Sequence, residues 1–131
     1  MNSDCVFFSI EINANFVKET NDRCPNAIVY HDSAENIKKY LDKHNKKNCD
    51  CIISGLPWAG FDKKLQNKLL DTAYDSLEEE GVFLTFAYIQ GLLLPNGKNF
   101  KKLLKNKFRT VKKTKIVWLN LPPAFVYHCK K

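Results

Sequence analysis

Cys49-Asp50-Cys51-Ile52-Ile53-Ser54-Gly55-Leu56-Pro57-Trp58 is the stretch from which the fold is read. Cys51, Ile52 and Ile53 make a short apolar run, as a strand covered on both faces requires. Ser54 and Gly55 interrupt the run, and Pro57, lacking an amide hydrogen, cannot continue a central ladder. Open α/β sheets bind ligands just beyond the carboxyl ends of their strands. A glycine in a proline-stiffened corner there lets a ligand come close to the backbone. A plain strand-to-helix loop is the competing reading.

Upstream, residues 5–12 are rich in β-branched and aromatic side chains and predict a strand over that range, with Glu11 near its end. Asn13 and Asn15 are capping residues for a helix that closes near Cys24-Pro25. Residues 27–30 predict a second strand, followed by His31-Asp32-Ser33 and by a helix that carries Ile37 and Leu41 on one face. Downstream, Asp62 caps a long helix with its apolar stripe at Leu65, Leu69, Ala73 and Leu77, widened by Leu70 and Tyr74. Glu78-Glu79-Glu80-Gly81 is read as its end, with Gly81 in the left-handed position. Three acids at a helix C-terminus oppose the dipole, which local physics does not explain. Residues 82–88 predict a strand, 90–97 a loop, and Phe100, Leu103 and Leu104 a short basic helix. Residues 108–119 and 124–129 predict an antiparallel pair around Asn120-Leu121-Pro122-Pro123. Strands alternate with helices and a hairpin closes the series, so the expectation is one doubly wound α/β domain over residues 1–131.

A chain of 131 residues is long enough for one real core. Its mean hydropathy of −0.38 and 44% hydrophobic residues fit a globular protein. No apolar run approaches the ~18–20 residues of a membrane span, and the first residues lack the pattern of a signal peptide, so a cytoplasmic protein is expected. Five cysteines, an odd number, argue against a disulfide framework. Cys49-x-Cys51 with a distant Cys24 is poor zinc spacing, so no metal is expected and buried reduced thiols are the preferred reading. The net charge is +7. A basic surface attracts nucleic acid, anionic lipid or anionic small molecules, although no RNA-binding platform is present in the sequence. Plain solvation by lysine accounts for any single cluster.

Glu11 and Asp32 end successive strands. An acid at such a strand tip can accept hydrogen bonds from both hydroxyls of a ribose, and Asp32 could accept one from an adenine amino group. Each acid alone is ordinarily a surface or capping residue.

Five segments taken in order carry a resemblance: Ser-Ile-Glu-Ile-Asn at 9–13, His-Asp-Ser-Ala at 31–34, Ile-Ile-Ser-Gly-Leu-Pro at 52–57, Phe-Ala-Tyr at 86–88, and Val-Trp-Leu-Asn-Leu-Pro-Pro-Ala-Phe-Val-Tyr at 117–127. The chain resembles the class I S-adenosylmethionine-dependent methyltransferases, most closely the bacterial phospholipid N-methyltransferase group. The resemblance implies a Rossmann-like methyltransferase sheet with a C-terminal antiparallel hairpin and S-adenosylmethionine as cofactor. It implies that Glu11 holds the ribose, that Ile12 is also a cofactor-binding residue, and that Asp32, Ser33 and Ala34 hold the adenine. Ser54, Gly55, Leu56 and Pro57 would line the methyl-transfer site with Trp58 beside them, and Tyr88 and residues 120–123 would wall the acceptor pocket. Ser54, Trp58 and Tyr88 are the implied catalytic set. A sulfonium methyl is already activated, so in-line positioning does most of the work. His31 and Asp62 could take a proton from an ammonium acceptor, a surface imidazole and a helix cap being the simpler readings.

The sequence departs from that family in one respect. It opens at what would be the second strand and contains no Gly-x-Gly, so the sheet is expected to be truncated at its N-terminus and left as two half-sheets. The functional expectation is methyl transfer to a small-molecule or lipid amine, with a phospholipid headgroup among the candidates. Peripheral contact with anionic membrane and homo-oligomer formation are further expectations. The alternatives are a protein that binds or degrades S-adenosylmethionine without methyl transfer, and a non-catalytic basic interaction module.

Overall fold

A computed structural model describes residues 5–131, which fall into two compact units that divide between Lys47 and Asn48. In the first, β1 (Phe8–Glu11), α1 (Ala14–Arg23), β2 (Ile28–His31) and α2 (Ile37–Lys43) follow in order. β1 and β2 pair in parallel, Phe8 opposite Ile28 and Glu11 opposite His31. Asn13 caps α1 by accepting from the Asn15 amide. The packing is mostly aromatic. Tyr30 stacks on Tyr40 at 4.0 Å, Phe8 stacks on His44 at 5.3 Å, and the Tyr30 hydroxyl lies 3.0 Å from His44 Nε2. Tyr40 and Leu41 are buried.

The second unit contains β3 (Cys49–Ser54), α3 (Lys63–Ser76), β4 (Leu77–Tyr88), α4 (Pro95–Lys107), β5 (Thr110–Lys113) and β6 (Ala124–Lys130). Its sheet has the order β3-β4-β6-β5, with β3 parallel to β4 and β6 antiparallel to both β4 and β5. Phe125, Tyr127 and Cys129 alternate inward along β6, the two-residue period of a strand with one covered face. Together with Leu70, Leu77, Phe83, Phe100, Leu104 and Phe108 they form the core. The two half-sheets expected from the sequence are thus the two sheets observed.

Several expectations are corrected. β3 is not covered on both faces: Cys51 is exposed and Ile53 is 74% exposed, two residues apart on one face, and β3 is also the edge strand of its sheet. The free thiols are not uniformly buried either. Cys5, Cys24 and Cys51 are exposed, and only Cys129 is fully enclosed, its thiol pushed up to about 12 by burial. α3 ends at Ser76, so the three glutamates belong to β4 and the conflict with the helix dipole does not arise. The left-handed residue is Glu80 (φ 67°), at a bulge where β3 and β4 shift register, and Gly81 has no positive φ. Gly81 is required for closeness instead, since a Cβ there would lie 2.7 Å from the Glu78 carbonyl. The bulge turns the Glu80 carboxylate onto Arg109 (2.6 Å) and Lys130 (2.5 Å), which hold its pKa down at about 2. The cation at the end of α3 comes from Lys131, whose ammonium donates to the Tyr74 and Leu77 carbonyls. α4 begins at Pro95, inside the expected loop, with proline in the first helical turn where its missing amide hydrogen costs nothing. β5 is shorter than expected, and beyond it only Val117 bridges to Ala124.

Gly97 lets the start of α4 lie against the preceding 3₁₀ turn, Ile89–Leu93: a Cβ there would sit 1.8 Å from the Gly91 carbonyl oxygen. A backbone atom cannot rotate away, so Gly97→Ala is expected to destabilise the protein by about 1–3 kcal/mol. Gly60→Ala, which meets open space, should stay within about 0.5 kcal/mol of the parent in the same urea denaturation.

Candidate functional site

In the first unit Glu11, Ile12, Asp32, Ser33 and Ala34 of the predicted cofactor residues lie at the carboxyl ends of β1 and β2, and Ser54 to Pro57 belong to the second unit. The Asp32 amide donates to the Glu11 carbonyl (3.1 Å), so the two acids leave adjacent strand ends. Glu11 Oε1 accepts from the Asn13 amide at 2.7 Å, and His31 Nε2 lies 3.0 Å from the carbonyl of Ile12, a residue whose side chain is exposed. Asp32 is far more engaged. Oδ1 accepts from the Ser33 amide and the Asn36 side chain, both at 2.7 Å. Oδ2 accepts from the Tyr40 hydroxyl at 2.6 Å and from the Lys39 ammonium at 3.3 Å. A carboxylate has about four acceptor sites, and here four donors fill them. The Tyr40 hydroxyl above all, then Asn36 and the Ser33 amide, hold its pKa well below the ordinary aspartate value of 3.8. Ser33 caps the 3₁₀ turn Ala34–Asn36 by accepting from the Glu35 amide.

In the second unit β3 ends in a corner held by buried polar contacts. Ser54 Oγ accepts from the Leu56 amide (3.3 Å) and from the indole nitrogen of Trp58 (3.1 Å), while the Ser54 carbonyl accepts from the Thr85 hydroxyl at 3.0 Å. Trp58 is 4% exposed and stacks on Phe100 at 4.4 Å. Gln66, fully enclosed, donates to the Trp58 carbonyl (2.7 Å) and the Asn96 carbonyl (2.9 Å), and its oxygen accepts from Asn99 at 2.7 Å. Of the three residues read as catalytic, Ser54 and Trp58 therefore close on each other and Tyr88 alone opens outward.

Tyr88 lines an open cleft of about 380 Å³ with Phe86, Val117, Asn120 and Phe125. Phe86 connects it to the corner, since a Cβ added at Gly55 would rest 3.8 Å from the Phe86 ring. Asn120 is oriented by its own loop, donating to the Pro122 carbonyl at 2.7 Å across a segment with a cis Leu121–Pro122 bond. Asp62 is the helix cap, accepting from the Leu65 amide. Gln66 was missed by the sequence reading, although a polar residue three and four positions before Leu69 and Leu70 lies on the buried face of α3. Among the described residues no cluster of three or more His, Cys, Asp or Glu is placed to hold a metal.

No family model matches the chain, and no curated protein matches it. Solved structures do. An rRNA methylase from Streptococcus thermophilus superposes with a TM-score of 0.67 at 16% identity, over 94% of this chain and 72% of that one. The N-methyltransferase NodS from Bradyrhizobium japonicum gives 0.67 at 9% identity, over 94% and 72%. A Streptococcus mutans protein solved in complex with SAH gives 0.61 at 19% identity, over 95% and 75%. These neighbours are methylases and methyltransferases, SAM-dependent enzymes from Thermotoga maritima and Archaeoglobus fulgidus among the others, and the chain has their α/β Rossmann-like fold.

The depressed pKa of Asp32 fixes a pH dependence. Stability supplied by its ionised form is complete above the unfolded value of 3.8 and is lost as pH falls toward its lower folded value. Acid unfolding followed by tyrosine fluorescence should begin at higher pH in Tyr40→Phe than in the parent, because the largest cause of that depression is removed.

Proposed function

We propose that this chain is a methyltransferase-type domain that binds S-adenosylmethionine and accepts an amine as methyl acceptor. The observation that carries the reading is the pair of acids at adjacent ends of parallel strands, joined by the Asp32 amide and the Glu11 carbonyl. The residues fit the adenosine half of the cofactor. Glu11 offers a half-buried carboxylate to the ribose hydroxyls, with the exposed Ile12 beside it as an apolar surface. Asp32 organises the 33–36 turn, and the Lys39 contact, the longest of its four, is the one an adenine amino group would replace. The described residues offer no Gly-x-Gly turn to cradle the methionine tail. Binding is therefore expected to be weak, on the order of 1 mM or about 4 kcal/mol.

When bound, the cofactor supplies a methyl group already activated by its sulfonium. The chain's task is then to position the acceptor. The reading assigns the acceptor to the Tyr88 cleft, with Ser54 to Pro57 as the rigid corner behind Phe86. The aromatic faces of Phe86 and Tyr88 suit an amine. No acid lines the cleft, so an ammonium acceptor would release its proton to solvent.

Titration calorimetry of S-adenosylhomocysteine into the protein tests the reading. Saturable heat is expected, reduced at least about fivefold in affinity by Glu11→Ala, roughly the loss of one charge-assisted hydrogen bond. No heat at millimolar ligand would contradict it. Product analysis with S-adenosylmethionine and a primary amine then separates methyl transfer from cofactor breakdown without a methylated product.

A further inference from the structure

The loop from Thr114 to Pro123 leaves its largest apolar side chains in solvent: Trp118 is 68%, Leu119 98% and Leu121 90% exposed. The loop is pinned in that state. The Val117 amide donates to the Ala124 carbonyl (2.8 Å), the Val126 amide donates to the Thr114 hydroxyl (2.9 Å), and Asn120 bonds the Pro122 carbonyl. A second apolar turn is its neighbour. Leu92 and Ile116 line one cleft of about 300 Å³ together with Lys113 and Lys115, and Leu93 beside Leu92 is 75% exposed.

Charge is segregated along the sequence as well. From Gly81 to Lys131 the sequence contains no Asp or Glu, but eleven of the 21 Lys and Arg residues. All 14 acids precede Gly81. Lys112, Lys113 and Lys115, all exposed, lead directly into the apolar tip. Solvation by lysine accounts for scattered cations, not for three exposed lysines leading into a tip of bare leucines and a tryptophan. Tryptophan favours the membrane–water interface, aliphatic tips partition into the acyl boundary, and flanking lysines are drawn to anionic headgroups. RNA would also attract the lysines, but it gives Leu119 and Leu121 nothing to stack on.

We propose that residues 112–121 form an interfacial anchor, inserting Trp118, Leu119 and Leu121 into an anionic lipid surface while Lys112, Lys113 and Lys115 rest on its phosphates. Binding does not depend on methyl transfer. Its consequence for substrate rests on the proposed function: Val117 and Asn120 of the same loop wall the Tyr88 cleft, so an anchored loop presents that cleft to lipid headgroups as the acceptor class.

The test uses the full chain with phosphatidylcholine vesicles, with and without phosphatidylglycerol, read by co-sedimentation and tryptophan emission. Trp58 is buried, so a change in emission reports Trp118. Expected are binding to the anionic vesicles that weakens with salt, a blue shift, and quenching by brominated acyl chains. Leu119→Ser with Leu121→Ser, both at solvent positions, should lower partitioning about tenfold with an unchanged circular dichroism spectrum. Four results would overturn the proposal: no vesicle binding, vesicle binding indifferent to the double substitution, a duplex RNA that binds while vesicles do not, or self-association that shifts Trp118 emission without lipid. Because the readout needs no cofactor, failure here leaves the calorimetric result standing, and the reverse also holds.

Discussion

The side-chain amide of Gln66 is the contact on which the second unit's geometry depends. It is fully enclosed and has three partners, two carbonyls that accept and one amide that donates. A buried amide without partners would cost several kcal/mol, whereas a satisfied one specifies a single arrangement. Here that arrangement joins the turn after β3, the face of α3 and the first turns of α4. Trp58 is fixed at both ends as a result, its carbonyl by Gln66 and its indole by Ser54, with Phe100 stacked on its ring. The close approach of Gly97 to Gly91 and Ala59 completes the corner.

From that corner the rest of the cleft follows. Ser54 has committed both acceptor sites of its hydroxyl, so it stiffens the turn and is not poised as a base. Such a residue suits a reaction whose leaving group is already activated, where rigid placement counts for more than proton transfer. The first unit shows the same economy in Asp32, whose four donors make it a post for the 33–36 turn, while the half-buried Glu11 carboxylate accepts from the Asn13 amide alone among the side-chain bonds described. Along the sequence every acid precedes Gly81, and the basic, apolar-tipped loop follows it.

Much of this was legible in the residues. Period and capping placed the elements: Asn13 and Asp62 cap the helices they were expected to cap, Glu11 and Ser54 end β1 and β3, and Asp32 follows the last residue of β2. The failures have physical causes. Ile52 and Ile53 looked like a strand covered on both faces because a short apolar run cannot tell a central strand from an edge strand. The glutamates at 78–80 were placed at a helix end because their partners, Arg109 and Lys130, lie far along the chain. Gly81 was given a left-handed role that Glu80 takes, a bulge being a property of two paired strands and not of one. Gln66 escaped notice because helix periodicity weighs apolar residues only, and the Tyr88–Asn120 cleft joins segments that only the β4–β6 pairing brings together.

The central physical claim is that one enclosed amide holds the corner after β3. Gln66→Leu keeps the bulk and removes the hydrogen bonds, and urea denaturation with near-ultraviolet circular dichroism of the Trp58–Phe100 stack is the direct measurement. The account requires a loss of about 2–4 kcal/mol, the cost of stranding its buried partners, together with a diminished aromatic signal before unfolding. A variant with the parent's midpoint and an unchanged aromatic spectrum would contradict it.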